Sequence, residues 1–418
     1  MTTGALSGIT PPAGWKWQEL WATMPRIKEI GRQDLPPLSV YLDSGVVPRD
    51  SRADNHNQLG EDLARYLVVR PDDIVFNKLR TWQGGLGVSK HHGIVSPAYF
   101  VCRPDITSDS RFLHYLLRSQ PYLTELTRIS KWMPPSQFDT PWETLRKLPL
   151  LMAPPDEQRR IANFLDDETT RIDRLIALRK RNKQLVLERS EAVVSSFFSR
   201  GEGKREYRFR DLMKSSPCYG VLVPKFTDAG VALIRVSDLG KLDENLERLP
   251  KIEKEQAIEY KRTRISPGDL LVTVVGATIG RCDVAPETVD GFNVSRALAR
   301  IQLHPSVSPQ MIASWVRGKE FRVQAELATS GAAAQPALNM SDITHFSIWL
   351  PEDDPGRHLL ASRVGEHEHR VQGLLAALQR QLTLLSERRQ ALITAAVTGQ
   401  FDVSTASGRN VTDGVPTS

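Results

Sequence analysis

The chain has 418 residues, long for a single core and suited to two or more domains of ordinary size. With 40% hydrophobic and 25% charged residues it reads as soluble; it has no apolar run of about 18 residues to span a membrane and no signal-peptide pattern in MTTGALSGITPPAGW, so a cytoplasmic location is expected. Three scattered cysteines, Cys102, Cys218 and Cys282, argue against a disulfide framework and a zinc cluster, and a net charge of +6 favours an anionic partner, nucleic acid before membrane.

In chain order, DIVFNKL from Asp73 and AYFVCRP from Ala98 are strand candidates, rich in β-branched and aromatic residues and bounded by Gly, Pro and Asp. SRFLHYLLRSQPYL from Ser110 reads as a helix. A long helix is expected from Asp156 to about Phe198, with apolar residues at Ile161, Leu165, Ile172, Ile176, Val186, Val193 and Phe197. Strand candidates then return as VALIRVSDL from Val231, DLLVTVV from Asp269 and ALARIQL from Ala297, followed by a helix in SPQMIASWVRGKEFRVQ from Ser308. A second long helix is expected from about Leu359 to Val397, and Val371, Leu375, Leu378, Leu382 and Leu385 step by four and three along it as a heptad seam. Gly201 and Gly399 read as helix stops. At 1.5 Å per residue each helix is roughly 60 Å long, and neither can bury its seam alone, so an antiparallel pair is the economical arrangement. Arg179, Lys180, Arg181 and Lys183 interrupt the first seam where the second carries leucines; such a run is either a solvated face or a place where a partner or phosphates lie close.

The chain repeats itself. RPDDIVF from Arg70 matches SPGDLLV from Ser266, GIVSPAYFVCRP from Gly93 matches GFNVSRALARIQLHP from Gly291, and RFLHYLLRS from Arg111 matches QMIASWVRG from Gln310. ERSEAVVSSF from Glu188 and ERRQALITAA from Glu387 extend the repeat into the helices. The predicted fold class is α+β, with two tandemly repeated globular domains and two long helices that pair as an antiparallel coiled coil.

Chemistry is notable for its absences. There is no phosphate loop, no H-E-x-x-H and no pocket motif of a base-methylating enzyme. QGGLGV from Gln83 lacks the strand and helix of a dinucleotide site, and His91, His92, His367 and His369 read as solvated surface rather than metal ligands. What the domains offer instead is donors suited to DNA, because Arg can grip guanine and Asn or Gln adenine through paired hydrogen bonds. NKLRTWQGG holds Asn77, Lys78, Arg80, Thr81 and Gln83, and its counterpart TVVGATIGR holds Thr278 and Arg281. NVSRA adds Asn293 and Arg296; RISKWMPPSQF carries Lys131, Ser136 and Gln137, matched in ATSGAAAQPALN by Ser330 and Gln335. Trp82 and Trp132 read as core or rim.

On GWKWQEL from Gly14, LPLLMAPPDEQRRIANFLDDETTRIDRLIAL from Leu148 and LLSERRQALITAAVTGQFDV from Leu384, the chain resembles the specificity subunit of type I restriction-modification systems over nearly its full length. The resemblance implies two target recognition domains, residues 1–155 and 201–355, with conserved long helices at 156–200 and 356–400 and a flexible tail at 401–418. It implies a bipartite, asymmetric DNA site and no active site, hence no enzyme activity of the chain itself. It further implies two methyltransferase (modification) subunits docked on the helices, with Pro155, Glu157, Gln158, Arg189 and Arg388 as partner-binding residues, and restriction subunits joining them. S-adenosylmethionine, ATP and Mg would belong to those partners, with no cofactor on this chain. In LPEDDPGRHLLASRVGEHEH the second copy departs from the pattern, lacking the Glu and Gln at its helix entry. If the helices act as a ruler, seven residues inserted in one of them lengthen the unread spacer and leave the half-sites unchanged. Two rivals remain: a stand-alone nuclease or methyltransferase with an unrecognised centre, which would act alone, and a structural coiled-coil protein, whose binding would ignore DNA sequence.

Overall fold

In the computed structural model the described residues are 4–42, 45–51, 62–133, 137–330 and 336–403, with the backbone alone of Met133 and Gln137. Ser136, Gln335 and the predicted tail from Ser404 onward lie outside them. The first repeat runs through strands β1 (Lys16–Glu19), β2 (Arg26–Ile27), β3 (Ile74–Asn77), β4 (Leu86–Val88) and β5 (Tyr99–Cys102), then helices α1 (Ser110–Leu117) and α2 (Gln120–Ile129). A hairpin of β6 (Lys131–Met133) and β7 (Gln137–Asp139) and strand β8 (Pro149–Met152) lead into α3 (Pro155–Phe198). The second repeat has β9 (Lys204–Arg208), β10 (Cys218–Tyr219), β11 (Leu270–Thr273), β12 (Cys282–Val284), β13 (Leu298–Ile301), α4 (Pro309–Arg317), α5 (Lys319–Thr329), β14 (Ser347–Pro351) and α6 (Asp354–Val397).

The duplication read from sequence is a duplication of sheets. Strands are ordered β2-β5-β3-β4 in one repeat and β10-β13-β11-β12 in the other, antiparallel throughout, and β1 pairs with β8 as β9 pairs with β14. Both central strands are entered by the same turn: Asp72 and Gly268 adopt positive φ after a proline, and the next residue, Asp73 or Asp269, accepts the amide of Arg70 or Ser266 at 2.8 and 2.7 Å. The acidic pair at Asp72 and Asp73 is thus strand-entry structure.

The helix expected in SRFLHYLLRSQPYL is two helices. It stops at Arg118 because Pro121 has no N–H to give and its ring would strike the carbonyl four residues back; Ser119 precedes the next helix in an extended conformation, its hydroxyl donating back to the Leu116 carbonyl. Its counterpart also breaks in two, at Gly318, but without a proline: there the backbone turns extended at the glycine itself.

By contact density the chain forms two compact units, Met1–Arg179 with Arg380–Ser418, and Lys180–Gln379. Each unit therefore holds one repeat domain and a part of both long helices. In the first unit, Ile161, Leu165 and Ile172 of α3 share a buried core with Leu392, Ile393 and Ala396 of α6, and Arg389 pairs with Asp173 at 3.0 Å. In the second, Ser190 meets His367 at 3.0 Å, Lys183 donates to Gln379 at 3.0 Å and the Arg363 guanidinium lies 5.6 Å from the Phe197 ring centre. Within each unit position rises along α3 as it falls along α6, which is antiparallel pairing. The five seam residues from Val371 to Leu385 are half-buried, as a two-helix seam requires. Of the polar interruption, Arg179 and Lys183 are half-buried while Lys180 and Arg181 are exposed. His367 is not the solvated side chain its sequence suggests, because it bonds across the pair and edges onto Phe197.

The two helix ends use different stops. Gly399 has φ +70°, its N–H donates to Ala396 and that of Gln400 to Ala395, a Schellman closure. Gly201 has no such role; the Lys204 ammonium instead donates to the carbonyls of Phe197 at 2.8 Å and Ser199 at 3.2 Å, where the negative end of the helix dipole favours a cation. No helix among the described residues is long and apolar enough to cross a membrane. Cys102, Cys218 and Cys282 are free, and burial pushes all three thiols up from their ordinary range.

Candidate nucleic-acid interface

The turns that leave the central strands carry most of the donors singled out by sequence, and the two turns are built on the same backbone hydrogen bonds. Asn77 N–H donates to Gly85, Lys78 to Ala98, and Thr140 to Lys78, at 2.8, 3.3 and 3.1 Å. In the second repeat Thr273 donates to Arg281, Val274 to Ala297 and Leu338 to Val274, at 2.8, 3.0 and 2.8 Å. So a turn of about nine residues is clamped in both cases against a segment some 60 residues later, and loops distant in sequence become one surface. Gly85 is required where it stands, because a Cβ there would lie 2.6 Å from the Arg80 carbonyl oxygen.

Within this shared frame the side chains divide into those consumed by the fold and those left over. Thr81 is fully buried and donates to the Asn77 carbonyl at 2.6 Å, and the Asn77 side chain accepts the Leu79 amide at 3.1 Å. Lys78 donates to the Pro97 carbonyl at 2.8 Å and sits 4.8 Å from the Phe100 ring centre; burial, then the nearby Arg26, hold its ammonium below the ordinary lysine range. Asn293 is 1% exposed and its amide donates to the Tyr260 carbonyl at 3.2 Å and the Thr263 hydroxyl at 2.7 Å. Arg281 donates to the Leu239 carbonyl, and the Ser330 hydroxyl to that of Leu327 at 2.9 Å. Thr81 and Asn293, expected as DNA contacts, are therefore framework: an amide already bonded in the interior has no edge to offer a base.

Arg80 and Lys131 in the first unit and Arg296 in the second are exposed, with no hydrogen-bond or ion-pair partner among the described residues. Gln83 and Thr278 are exposed as well. Gln137 is placed by its backbone at the start of β7, and Gln335 falls outside the described residues. Arg296 stands beside the Gly220 crossing, where a Cβ would lie 2.1 Å from the Val294 carbonyl oxygen, so glycine alone lets the chain pass beneath it.

Nothing in the sequence marks Phe138 as a site residue. It contacts both tryptophans, with ring centres 4.7 Å from Trp82 and 5.0 Å from Trp132, and so joins the turn to the β6–β7 hairpin. Nor does the sequence mark Arg26, whose guanidinium stacks 4.6 Å from the Phe100 ring centre.

The residues expected to hold partners also divide. Pro155 opens α3 and is exposed, as are Arg189 and Arg388. Glu157 accepts the Trp15 indole N–H at 3.0 Å, tying the chain's N-terminal stretch to the helix. Gln158 is 3% exposed; it donates to the Ala153 carbonyl at 2.7 Å and accepts the Asp109 amide at 2.9 Å, which stitches α3 to the N-cap of α1. This side chain is a splice between helix and domain rather than a docking residue. Gln158→Ala should cost about 1–3 kcal/mol, the penalty for two unmet buried backbone groups, read as a lower urea midpoint. A loss below about 0.5 kcal/mol would return Gln158 to the surface set. The second copy solves the same entry differently, with Arg357 over the Tyr207 ring at 5.8 Å and bonded to Asp354.

Among the described residues no cluster of histidine, cysteine and carboxylate groups could hold a metal ion. No family model matches the chain. Over 186 residues it is 28% identical to the Type I restriction enzyme EcoBI specificity subunit of Escherichia coli, a match covering 44% of this chain and 38% of that protein. The chain thus spans less than half the length of the curated relative that it matches. A solved structure described as the structural basis of complex assembly and conformational transition of the type I R-M system aligns with a TM-score of 0.74 at 18% identity, covering 94% of this chain and 100% of that one. The HsdS subunit from Thermoanaerobacter tengcongensis aligns with a TM-score of 0.54 at 18% identity, over 94% and 99%.

Proposed function

We propose that this chain, which has the fold of type I specificity subunits, is the DNA sequence-recognition subunit of a type I restriction-modification complex. It reads a bipartite, asymmetric site, one half with each repeat domain, and catalyses no reaction itself. The observation that carries this reading is the pair of turn surfaces: the same hydrogen-bonded frame appears twice, but one presents Arg80, Gln83 and Lys131 and the other Thr278 and Arg296. A frame kept while its exposed donors change is what two readers of unlike sequences need. A single domain reading three to five base pairs, at about 1–3 kcal/mol per discriminated pair, cannot select a rare genomic site; two joined domains add those terms.

Methyltransferase and restriction subunits dock on this chain, and S-adenosylmethionine, ATP and Mg reside on them. Mapping adenine methylation in cells with and without this gene and its modification partner tests the reading. A split motif that vanishes with the gene supports it. Unchanged methylation, or catalysis by the purified chain alone, would overturn it. Within that reading Arg296→Ala should weaken binding by about 1–3 kcal/mol and relax one position of the second half-site while the first is read unchanged, as competition binding with single-base variants would register. A uniform loss over all variants would instead make Arg296 a phosphate contact.

A further inference from the structure

The β6–β7 hairpin pairs Trp132 directly with Phe138. Trp132 is 53% exposed, while Phe138 and Trp82 behind it are half-buried. The three rings form a ladder from Trp82 through Phe138 to Trp132, with centre separations of 4.7 and 5.0 Å. Its base is fixed: the Trp82 indole N–H donates to the Leu79 carbonyl at 3.1 Å, and the hydroxyls of Ser130 and Thr140 meet at 2.8 Å across the foot of the hairpin. An indole so propped cannot fold back to hide its apolar face. Lys131, next to it in the chain, and Arg80, in the turn that carries Trp82, are exposed cations; Asp139, the acid in the same hairpin, lies near Lys78. The corresponding stretch of the second repeat, ELATSGAAAQPALNM from Glu326, has no aromatic residue.

An apolar ring held out on a hairpin, with exposed cations on its own strand and on the turn that backs it, fits a polyanion with stacked π-faces. We propose that Trp132, backed by Phe138 and Trp82, is a wedge that enters the duplex at one step of the first half-site and stacks on a base, a device the second half-site lacks. The inference rests on the proposed recognition role. A two-stranded ribbon is narrow enough to enter a groove, and apolar wedges between base steps unstack and kink the duplex. Because flexible pyrimidine–purine steps open most readily, the wedge reads one position by deformability rather than by hydrogen bonds. That position would look specified in the mapped motif although no donor faces it.

The test uses the full chain and a duplex carrying the mapped methylation motif, with 2-aminopurine placed at each purine of the first half-site in turn. The expected result is a fluorescence rise at one step with the natural protein. It disappears with Trp132→Ala, which binds about fivefold to a hundredfold more weakly, and survives largely with Trp132→Phe. Footprints over the second half-site stay unchanged. If the natural chain forms the specific complex and no position brightens, or Trp132→Ala binds as tightly as the natural protein, the wedge is wrong while the recognition role stands. If the natural chain forms no specific complex with the motif, both fall together.

Discussion

Replacing Asp269 with alanine is expected to destabilise the second unit by about 3–5 kcal/mol, the usual cost of removing one member of a buried ion pair. Asp269 and Arg300 are 5% and 11% exposed at their side chains and meet at 2.5 Å. The same carboxylate oxygen accepts the Ser266 amide at 2.7 Å, so the alanine loses the strand-entry cap as well as the ion pair. Arg300 would keep its bond to the Arg262 carbonyl at 2.9 Å but no carboxylate, and remain a charge with little access to water. The first unit supplies an internal control. Asp73 is just as buried, but its partner Arg103 is 35% exposed, so water can take over part of the guanidinium in Asp73→Ala. The loss there should be smaller by about 1–2 kcal/mol. Hydrogen exchange resolved to β11 and β3 separates the units and avoids treating the chain as a single transition. Equal losses in both strands, or a loss under about 1 kcal/mol in β11, would mean that desolvation is not what makes the second pair costly to break.

Trp315→Ala should cost a similar amount, about 3–5 kcal/mol, through the cavity it opens. Trp315 is fully buried on α4 and meets Phe209 and Phe321 edge to face, with ring centres 5.0 and 5.2 Å away; Phe321 meets Phe346 at 5.2 Å. The row of rings links β9's following turn, α4, α5 and the entry to β14, so one truncation loosens all of them. Its indole N–H meets no acceptor among the described residues. Trp315→Phe therefore gives up area but no hydrogen bond, and is expected to cost under about 1.5 kcal/mol. A phenylalanine variant as damaged as the alanine variant would show that the indole N–H has a partner that matters. The matching position of the first repeat is Leu116, also fully buried, so the two cores fill one frame with different shapes.

How much of this was legible in advance follows from what kind of information each feature needs. The turn into β3 and β11 is written locally, in a proline followed by a residue tolerant of positive φ and then an aspartate that reaches back three residues. The break between α1 and α2 was also written, in Pro121, but the apolar periodicity running through it masked the stop. Gly201 misled because a glycine near a helix end need not form the stop when a lysine side chain can cap the carbonyls instead.

The sequence by itself determined that the chain is duplicated and that its domains are mixed sheet and helix. It also determined that two long helices carry a seam, because repeat spacing and apolar period are properties of order along the chain. Only the tertiary structure decided which donors remain available. Asn293 is taken up by Tyr260 and Thr263, Gln158 by Ala153 and Asp109, and Lys78 by Pro97, whereas the side chains of Arg80, Lys131 and Arg296 meet no partner among the described residues. Nearly all of those partners lie far away in sequence, and a polar side chain is committed or free according to what the fold brings within about 3 Å of it, which no spacing rule contains.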